Sequence, residues 1–406
     1  MRRDRRIPYL ALLLAAALLL PVFGALFFWQ TGAASTGEDT ITISRKEYER
    51  LKKYEMLDEV KNYVDTYFYQ KPDEQKLMDG AIQGLLSGLN DAYSFYYPEE
   101  AWNKMQEEDK GKYAGIGVQM LGDYETGAVT ITRVFRDTPA EAAGLKKGDV
   151  FMSVEDIQVT TATMQDAVNI MRGKPGEKVQ IEVVRQGEVL PFDLVKADIV
   201  VNRVEYKMLD DKVGYIILFE FAGGSTDAFT KAYTDLKSKG MKSLIMDLRD
   251  NPGGWVDDGV KIADLFLDKT LLYYAEDRDG NQEKFYTTNG KDDIPLIILV
   301  NENSASSSEI LTAAMKDYHR ATIIGVKTFG KGIIQFVIPL SDKKSGFQFT
   351  YAQYFSPDGN KVHKEGVTPD IIVEMPEESK NAYFELGSME DPQLARAYDE
   401  AKNTLQ

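Results

Sequence analysis

Leu296-Ile297-Ile298-Leu299-Val300, followed by Asn301-Glu302-Asn303-Ser304-Ala305-Ser306-Ser307-Ser308-Glu309-Ile310, is the stretch on which the fold turns. Five consecutive apolar residues bounded by polar ones make a short strand of the kind buried on both faces. Residues 306–318 continue as a helix, so the unit is strand, turn, helix. The same grammar recurs on either side. Residues 214–219 and 244–248 read as strands, 226–239 and 257–267 as helices, and 322–325 as a further strand. Short apolar runs alternating with helices predict an α/β domain with a mainly parallel sheet over residues 198–406.

The texture changes upstream. Residues 113–197 carry short alternating runs, Gly117-Val118-Gln119-Met120 and Val129-Thr130-Ile131-Thr132-Arg133-Val134 among them, with a short helix at 139–145 stopped by Gly144. A helix at 164–171 ends at Gly173 and Pro175-Gly176, and 179–184 alternates as a strand. This is a compact β-rich module. Residues 36–112 read as helical. Tyr48, Leu51, Tyr54, Leu57, Val60 and Val64 recur at steps of three and four, which predicts one amphipathic helix over 44–69. Ser44 and Glu47 have capping-box spacing at its start. Its apolar face packs either on its own domain or on a second copy in a homodimer. Further helices are expected at 73–89 and 99–110.

Residues 1–35 stand apart from the fold. Four arginines in the first six residues precede an apolar run over 9–29. About 20 apolar residues suffice to cross a bilayer, and basic residues before the span place the remainder outside the cytoplasm. A cleaved signal peptide ending near Ala33-Ala34-Ser35 competes with an uncleaved anchor. The apolar run exceeds the usual signal core of about 7–15 residues, which favours a single-pass anchor and a small, polar tether.

Composition narrows the chemistry. The 406 residues contain no cysteine and two histidines, which excludes disulfides, thiolate metal sites and a cysteine nucleophile, and disfavours a multi-histidine metal site. A net charge of −16 disfavours nucleic-acid binding. With 43% hydrophobic and 28% charged residues the chain is built to fold.

Three segments can carry chemistry. Leu248-Arg249-Asp250-Asn251-Pro252-Gly253-Gly254 follows one strand, and its glycines let backbone N–H groups gather on an anion; a tight strand-to-helix turn explains it equally. Ser306 sits at a strand–helix junction, where a nucleophile and an oxyanion site can share a helix N-terminus. Alone, Ser306 and Glu309 read more simply as a capping box. Thr328-Phe329-Gly330-Lys331-Gly332-Ile333-Ile334-Gln335 includes Gly325, Gly330 and Lys331 at the spacing of a nucleotide-binding loop. Gly332, however, stands where a hydroxyl should hold magnesium, and a strand follows instead of a helix. Strand alternation puts Lys331, Ile333 and Gln335 on one face. A serine needs a base. His319 lies at a helix end and His363 in a loop, so a lysine made neutral by desolvation is the remaining choice.

Together, Ser304 to Ile310 and Thr328 to Gln335 resemble the carboxyl-terminal processing proteases, serine–lysine peptidases of the S41 type with an embedded PDZ domain. The resemblance covers nearly the whole chain after the anchor. It implies a serine endopeptidase that needs no metal or cofactor and cuts proteins at or near their C-termini. By position it makes Ser306 the nucleophile, Lys331 the general base and Gln335 the residue that orients the lysine. The backbone amides of Gly253 or Gly254, and of Ser307, would form the oxyanion hole. It also implies that Gly115-Ile116-Gly117 captures a chain terminus, and that Arg172 couples the PDZ domain to the protease. The alternatives are an inactive PDZ scaffold that binds C-termini without cutting, and a nucleotide hydrolase that leaves Ser306 without a role.

Overall fold

A computed structural model describes residues 41–405, except 124, 125, 289, 377, 378 and 380–383. The apolar run at 9–29 lies outside the described residues, and among these no helix is long and apolar enough to cross a membrane. The chain divides into two units, residues 1–77 and 78–406.

In the first unit the helix expected over 44–69 is two helices, α1 (Arg45–Lys52) and α2 (Glu55–Tyr67). The break has a local cause. The N–H groups of Lys53 and Tyr54 bond three residues back, to Arg50 and Leu51, which tightens the last turn of α1 and ends it. Ser44 caps α1, accepting from the Glu47 N–H at 3.2 Å. Tyr48, Leu51, Tyr54, Leu57 and Val60 are each at least half exposed.

The second unit follows α3 (Glu74–Ser87) with β1 (Phe95–Tyr97) and α4 (Glu99–Lys110). The segment expected to be helical throughout therefore contributes a strand, and β1 pairs with a distant strand described below. The β-rich module comprises β2 (Lys112–Gly115), β3 (Val118–Gly122), β4 (Val129–Val134), α5 (Pro139–Ala143), β5 (Val150–Val154), β6 (Ile157–Gln158), α6 (Met164–Met171), β7 (Lys178–Arg185), β8 (Glu188–Val195) and β9 (Ala197–Val200). Its sheet runs β3-β4-β5-β7-β8, with β6 on β5 and a separate β2–β9 pair. The period-two residues Val179, Ile181 and Val183 face inward against Ala140, Leu145, Ala167 and Met171.

The α/β part contains β10 (Val204–Met208), β11 (Val213–Leu218), α7 (Ser225–Ser238), β12 (Ser243–Asp247), α8 (Val256–Ala263), β13 (Leu271–Asp277), β14 (Gln282–Tyr286), β15 (Leu296–Val300), α9 (Ser307–Asp317), β16 (Thr322–Gly325), β17 (Ile333–Pro339), β18 (Gly346–Phe355), β19 (Ile371–Ile372) and α10 (Pro392–Asn403). One sheet runs β10-β11-β12-β15-β16-β19 and is parallel except at β10. Strands β11, β12 and β15 are buried on both faces, so the two residue parities pack different helices. Leu244, Met246, Ile298 and Val300 join Phe229, Leu236, Ile262 and Leu311 in one core. Ile245, Ile297 and Leu299 meet Leu394, Ala397 and Ala401 of α10 on the other side. A second sheet places β18 against β17, β13 and β1, with β14 beyond β13. Among the described strands, β17 pairs on one side only.

Neighbouring strands β12, β15 and β16 all end at the same edge of the parallel sheet. The segments that leave them, 248–255, 301–306 and 326–332, are the three singled out by sequence. In open α/β sheets this carboxyl edge is where ligands bind.

Candidate active site

The turn before α9 is locked to the turn after β12 by its own serines. Ser304 Oγ donates to the Leu248 carbonyl at 2.7 Å, Ser307 Oγ to Gly254 at 2.9 Å and Ser308 Oγ to Asn251 at 3.0 Å. Buried Asn251 ties the same turn down, donating to Leu218 and accepting from the Gly253 N–H at 2.9 Å. Asp250 accepts from the side chains of Asn301 and Asn303, each at 2.8 Å, and these bonds hold its carboxyl below the usual range against the effect of burial. Of the four serines, Ser306 alone donates its hydroxyl to no group among the described residues. Its backbone has φ 56° and ψ −118°, a conformation that L-residues rarely adopt. It joins Glu309 in a capping box, so the simple cap reading holds as local structure and leaves the hydroxyl proton free.

The two glycines have different jobs. A Cβ on Gly253 would lie 2.6 Å from the Ser306 Cβ, so the two turns meet only over a glycine. A Cβ on Gly254 would lie 1.9 Å from the Phe221 carbonyl oxygen. The Gly253 N–H is spent on Asn251, whereas the N–H groups of Gly254 and Ser307 have no acceptor among the described residues. Gly254 and Ser307 are thus the pair available to an oxyanion.

Lys331 is joined to this turn by Glu309. The carboxylate is fully buried and accepts four hydrogen bonds. Oε1 takes Thr328 Oγ1 at 2.6 Å and the Gly330 N–H at 2.7 Å; Oε2 takes the Lys331 N–H at 2.8 Å and the Ser306 N–H at 3.0 Å. Burial pushes its pKa up, and these donors pull it back. On the other side, the buried Tyr354 hydroxyl shares its proton between the carbonyls of Lys331 at 2.9 Å and Ser306 at 3.1 Å. Burial pushes the Lys331 amine down, while Asp91 and Glu309 draw it up. Nζ makes no hydrogen bond among the described residues and lies 4.7 Å from the centre of the Tyr93 ring. The segment 328–332 backs onto 362–367, where Lys364 N–H bonds Gly330 O at 2.8 Å and a Cβ on Gly332 would strike the His363 nitrogen at 2.2 Å. An extended segment leading into β17 is no phosphate cradle at a helix start.

Gln335 is half-buried. It lies in β17, where its Nε2 donates to Thr350 Oγ1 at 3.2 Å; the register shift beside it leaves the extra residue, Tyr351, in β18. His319 is exposed at the end of α9, and His363 is held below its usual pKa by burial and by Lys364 and Lys361. Gly115, Ile116 and Gly117 connect β2 to β3, an edge strand, and Gly117 has φ 92°. Arg172 ends α6, pairs with Glu108 at 3.0 Å and lies 5.0 Å from the Tyr113 ring centre. Its partner is therefore α4, whose Asp109 accepts from the Trp255 indole beside Gly254. A groove of about 240 Å³ lies here, lined by Trp102, Met105, Gln106, Trp255 and Val337 among others. Sequence reasoning did not find Glu309 in this role, Tyr354, Tyr93 or the groove. Only the Glu at the third position of α9 carried a signal, and it pointed to capping. Among the described residues no cluster of three or more metal-ligating side chains occurs.

Residues 212–373 match Peptidase family S41, 113–195 a PDZ domain, and 22–101 the N-terminal domain described as that of the activating protease CtpB. The chain is 35% identical over 338 residues to a carboxy-terminal-processing protease of Bartonella bacilliformis, spanning 80% of this chain and 77% of that protein. It is 32% identical over 392 residues to the carboxy-terminal processing protease CtpA of Bacillus subtilis, spanning 95% and 80%. Among solved structures, the photosystem II D1 C-terminal processing protease is similar with a TM-score of 0.56 and 26% identity, over 84% of this chain and 96% of that one.

Proposed function

The chain belongs to the carboxy-terminal processing proteases of peptidase family S41, and on that footing we propose that Ser306 is its nucleophile and Lys331 its general base. The observation that carries the assignment is the division of labour among the serines. The hydroxyls of Ser304, Ser307 and Ser308 hold the turn together, and that of Ser306 keeps its proton to give. Neutral Lys331 takes that proton as Oγ attacks the scissile carbonyl. The N–H groups of Gly254 and Ser307 receive the oxyanion, each worth about 3–4 kcal/mol in comparable sites. Lys331 then protonates the leaving amine and activates the water that releases the acyl group. Gln335, anchored through Nε2 on Thr350, offers its carbonyl oxygen to the lysine. Gly253 supplies the close approach.

The free edge of β3 beside Gly115-Ile116-Gly117 is the proposed place for a substrate C-terminus to add as a strand. The ion pair of Arg172 with Glu108 is the proposed link from that domain to the Trp255 turn. The groove next to Gly254 takes an apolar side chain flanking the cleaved bond. The exposed apolar face of α1 and α2 is assigned to a second copy of the chain. The basic start and the apolar run at 9–29 assign the catalytic part to the extracytoplasmic side of a membrane.

The test is cleavage of an unstructured protein with an apolar C-terminus by the full chain. Ser306→Ala and Lys331→Ala should each abolish it, and Ser304→Ala should retain it in proportion to the folded fraction. Binding of C-terminal peptides without cleavage by the parent chain would turn the reading to the scaffold.

A further inference from the structure

Tyr93 is held over Lys331 by its main chain. In the turn before β1, Asp91 accepts from the Tyr93 N–H at 3.3 Å and from Ser94 Oγ at 2.5 Å. The turn is pinned to β18, where the Thr350 N–H donates to Ser94 Oγ at 3.2 Å and Gln348 Nε2 to the Tyr93 carbonyl at 2.9 Å. Thr350 is also the residue that anchors Gln335. The ring is thereby fixed 4.7 Å from an amine that has no hydrogen-bond partner among the described residues. An aromatic face attracts an ammonium and has no comparable attraction for a neutral amine. The step assigned to Lys331 needs the neutral amine.

We propose that Tyr93 is a positioning residue that clasps the protonated side chain of Lys331 between turnovers and frees it on deprotonation, setting the pH at which base activity begins. This rests on the reading of Lys331 as the base. Other groups face the same amine. Asp91 from the turn before β1 and Glu309 from α9 favour the ammonium, and burial opposes it. Tyr354 of β18 bonds the lysine carbonyl, and His363 lies behind Gly332 with Lys361 and Lys364 near it. A change at the ring leaves these charged and polar groups in place, and an apolar replacement keeps the amine covered.

The sign follows directly. Removing the ring withdraws stabilisation from the ammonium, so the lysine pKa falls and the acid limb of kcat/KM moves to lower pH. The expected displacement is about 0.4–1.5 pH units. Well below the limb, kcat/KM then rises by about 2.5- to 30-fold. Tyr93→Leu keeps apolar cover without the aromatic face, and Tyr93→Phe keeps the face.

The experiment takes the full chain and both variants. It records kcat/KM against pH with an internally quenched peptide, and the pKa of Lys331 by competitive labelling with acetic anhydride read by peptide mass spectrometry. The labelling is independent of turnover. Both midpoints should fall in Tyr93→Leu and stay at the parent value in Tyr93→Phe. An unchanged labelling midpoint in Tyr93→Leu, or the same fall in both variants, overturns the proposal. A labelling midpoint that falls while the acid limb stays leaves the clasp standing and removes Lys331 as the base.

Discussion

Replacing Glu309 with glutamine tests the joint between the Ser306 turn and the Lys331 segment. The carboxylate accepts two donors on each oxygen, and three of the four are backbone N–H groups. A glutamine oxygen can replace one carboxylate oxygen. Its NH₂ must then face the other pair. Turned toward Ser306 and Lys331, it meets two N–H groups that cannot rotate. Turned toward Thr328 and Gly330, it meets one, and the Thr328 hydroxyl can reverse to accept. The second orientation costs less, yet it loses two charge-assisted bonds and leaves the Gly330 N–H buried against another donor. At about 1.5–3 kcal/mol for each hydrogen bond to a charged group, the loss is about 3–6 kcal/mol. The Gly330–Lys331 backbone also shifts, and displacement of a reacting group by about 1 Å costs about 10²-fold in rate. Urea unfolding of the full chain and kcat/KM on a peptide measure the two effects. Thr328→Val removes one of the four bonds and also the acceptor of the buried Val367 N–H, and should cost about 2.5–6 kcal/mol. A Glu309→Gln protein within about 1 kcal/mol of the parent, with kcat/KM within about threefold, refutes the claim that this carboxylate ties nucleophile to base.

Gly254→Ala should lower kcat by about 10²–10³-fold with PDZ peptide binding preserved, because a Cβ 1.9 Å from the Phe221 oxygen moves the N–H proposed as an oxyanion donor. Val337→Phe narrows the groove of about 240 Å³ and should shift the ratio of kcat/KM for large against small apolar side chains at the cleavage site by about 10- to 100-fold toward the small. An unchanged ratio removes the groove as a subsite. Arg172→Ala breaks an ion pair whose side chains are 27% and 54% exposed, so stability should change by less than about 1 kcal/mol. Its signature is instead a loss of the stimulation of cleavage by C-terminal peptides, read with a peptide that does not itself bind the PDZ domain.

The parallel sheet was legible because its strands β11, β12 and β15 are short runs buried on both faces, and Leu296 to Val300 leaves no other reading. The β-rich module was legible from local punctuation, such as Gly144 in the left-handed conformation at the end of α5. What escaped depends on partners far away in sequence. Phe95–Tyr97 is three residues long and becomes a strand only because β18 accepts it. Tyr93 reaches the lysine through Gln348, 255 residues on. Glu309 showed its capping role, which is local, and hid its grip on Thr328, Gly330 and Lys331, which is tertiary. That the Gly253 N–H is taken by Asn251 was likewise visible only in space.

The most direct test of the central claim is covalent capture of the nucleophile. A peptidyl fluorophosphonate with an apolar residue at its reactive end is added to the full chain, and the adduct is located by peptide mass spectrometry as a function of pH. Modification should fall on Ser306 alone. Its rate should follow the deprotonation of a single group with a midpoint below the ordinary lysine value of 10.5, in keeping with the burial of Lys331, and should collapse in Lys331→Met. An adduct on Ser304, Ser307 or Ser308, or an unchanged rate in Lys331→Met, would contradict the assignment of Ser306 and Lys331 as nucleophile and base.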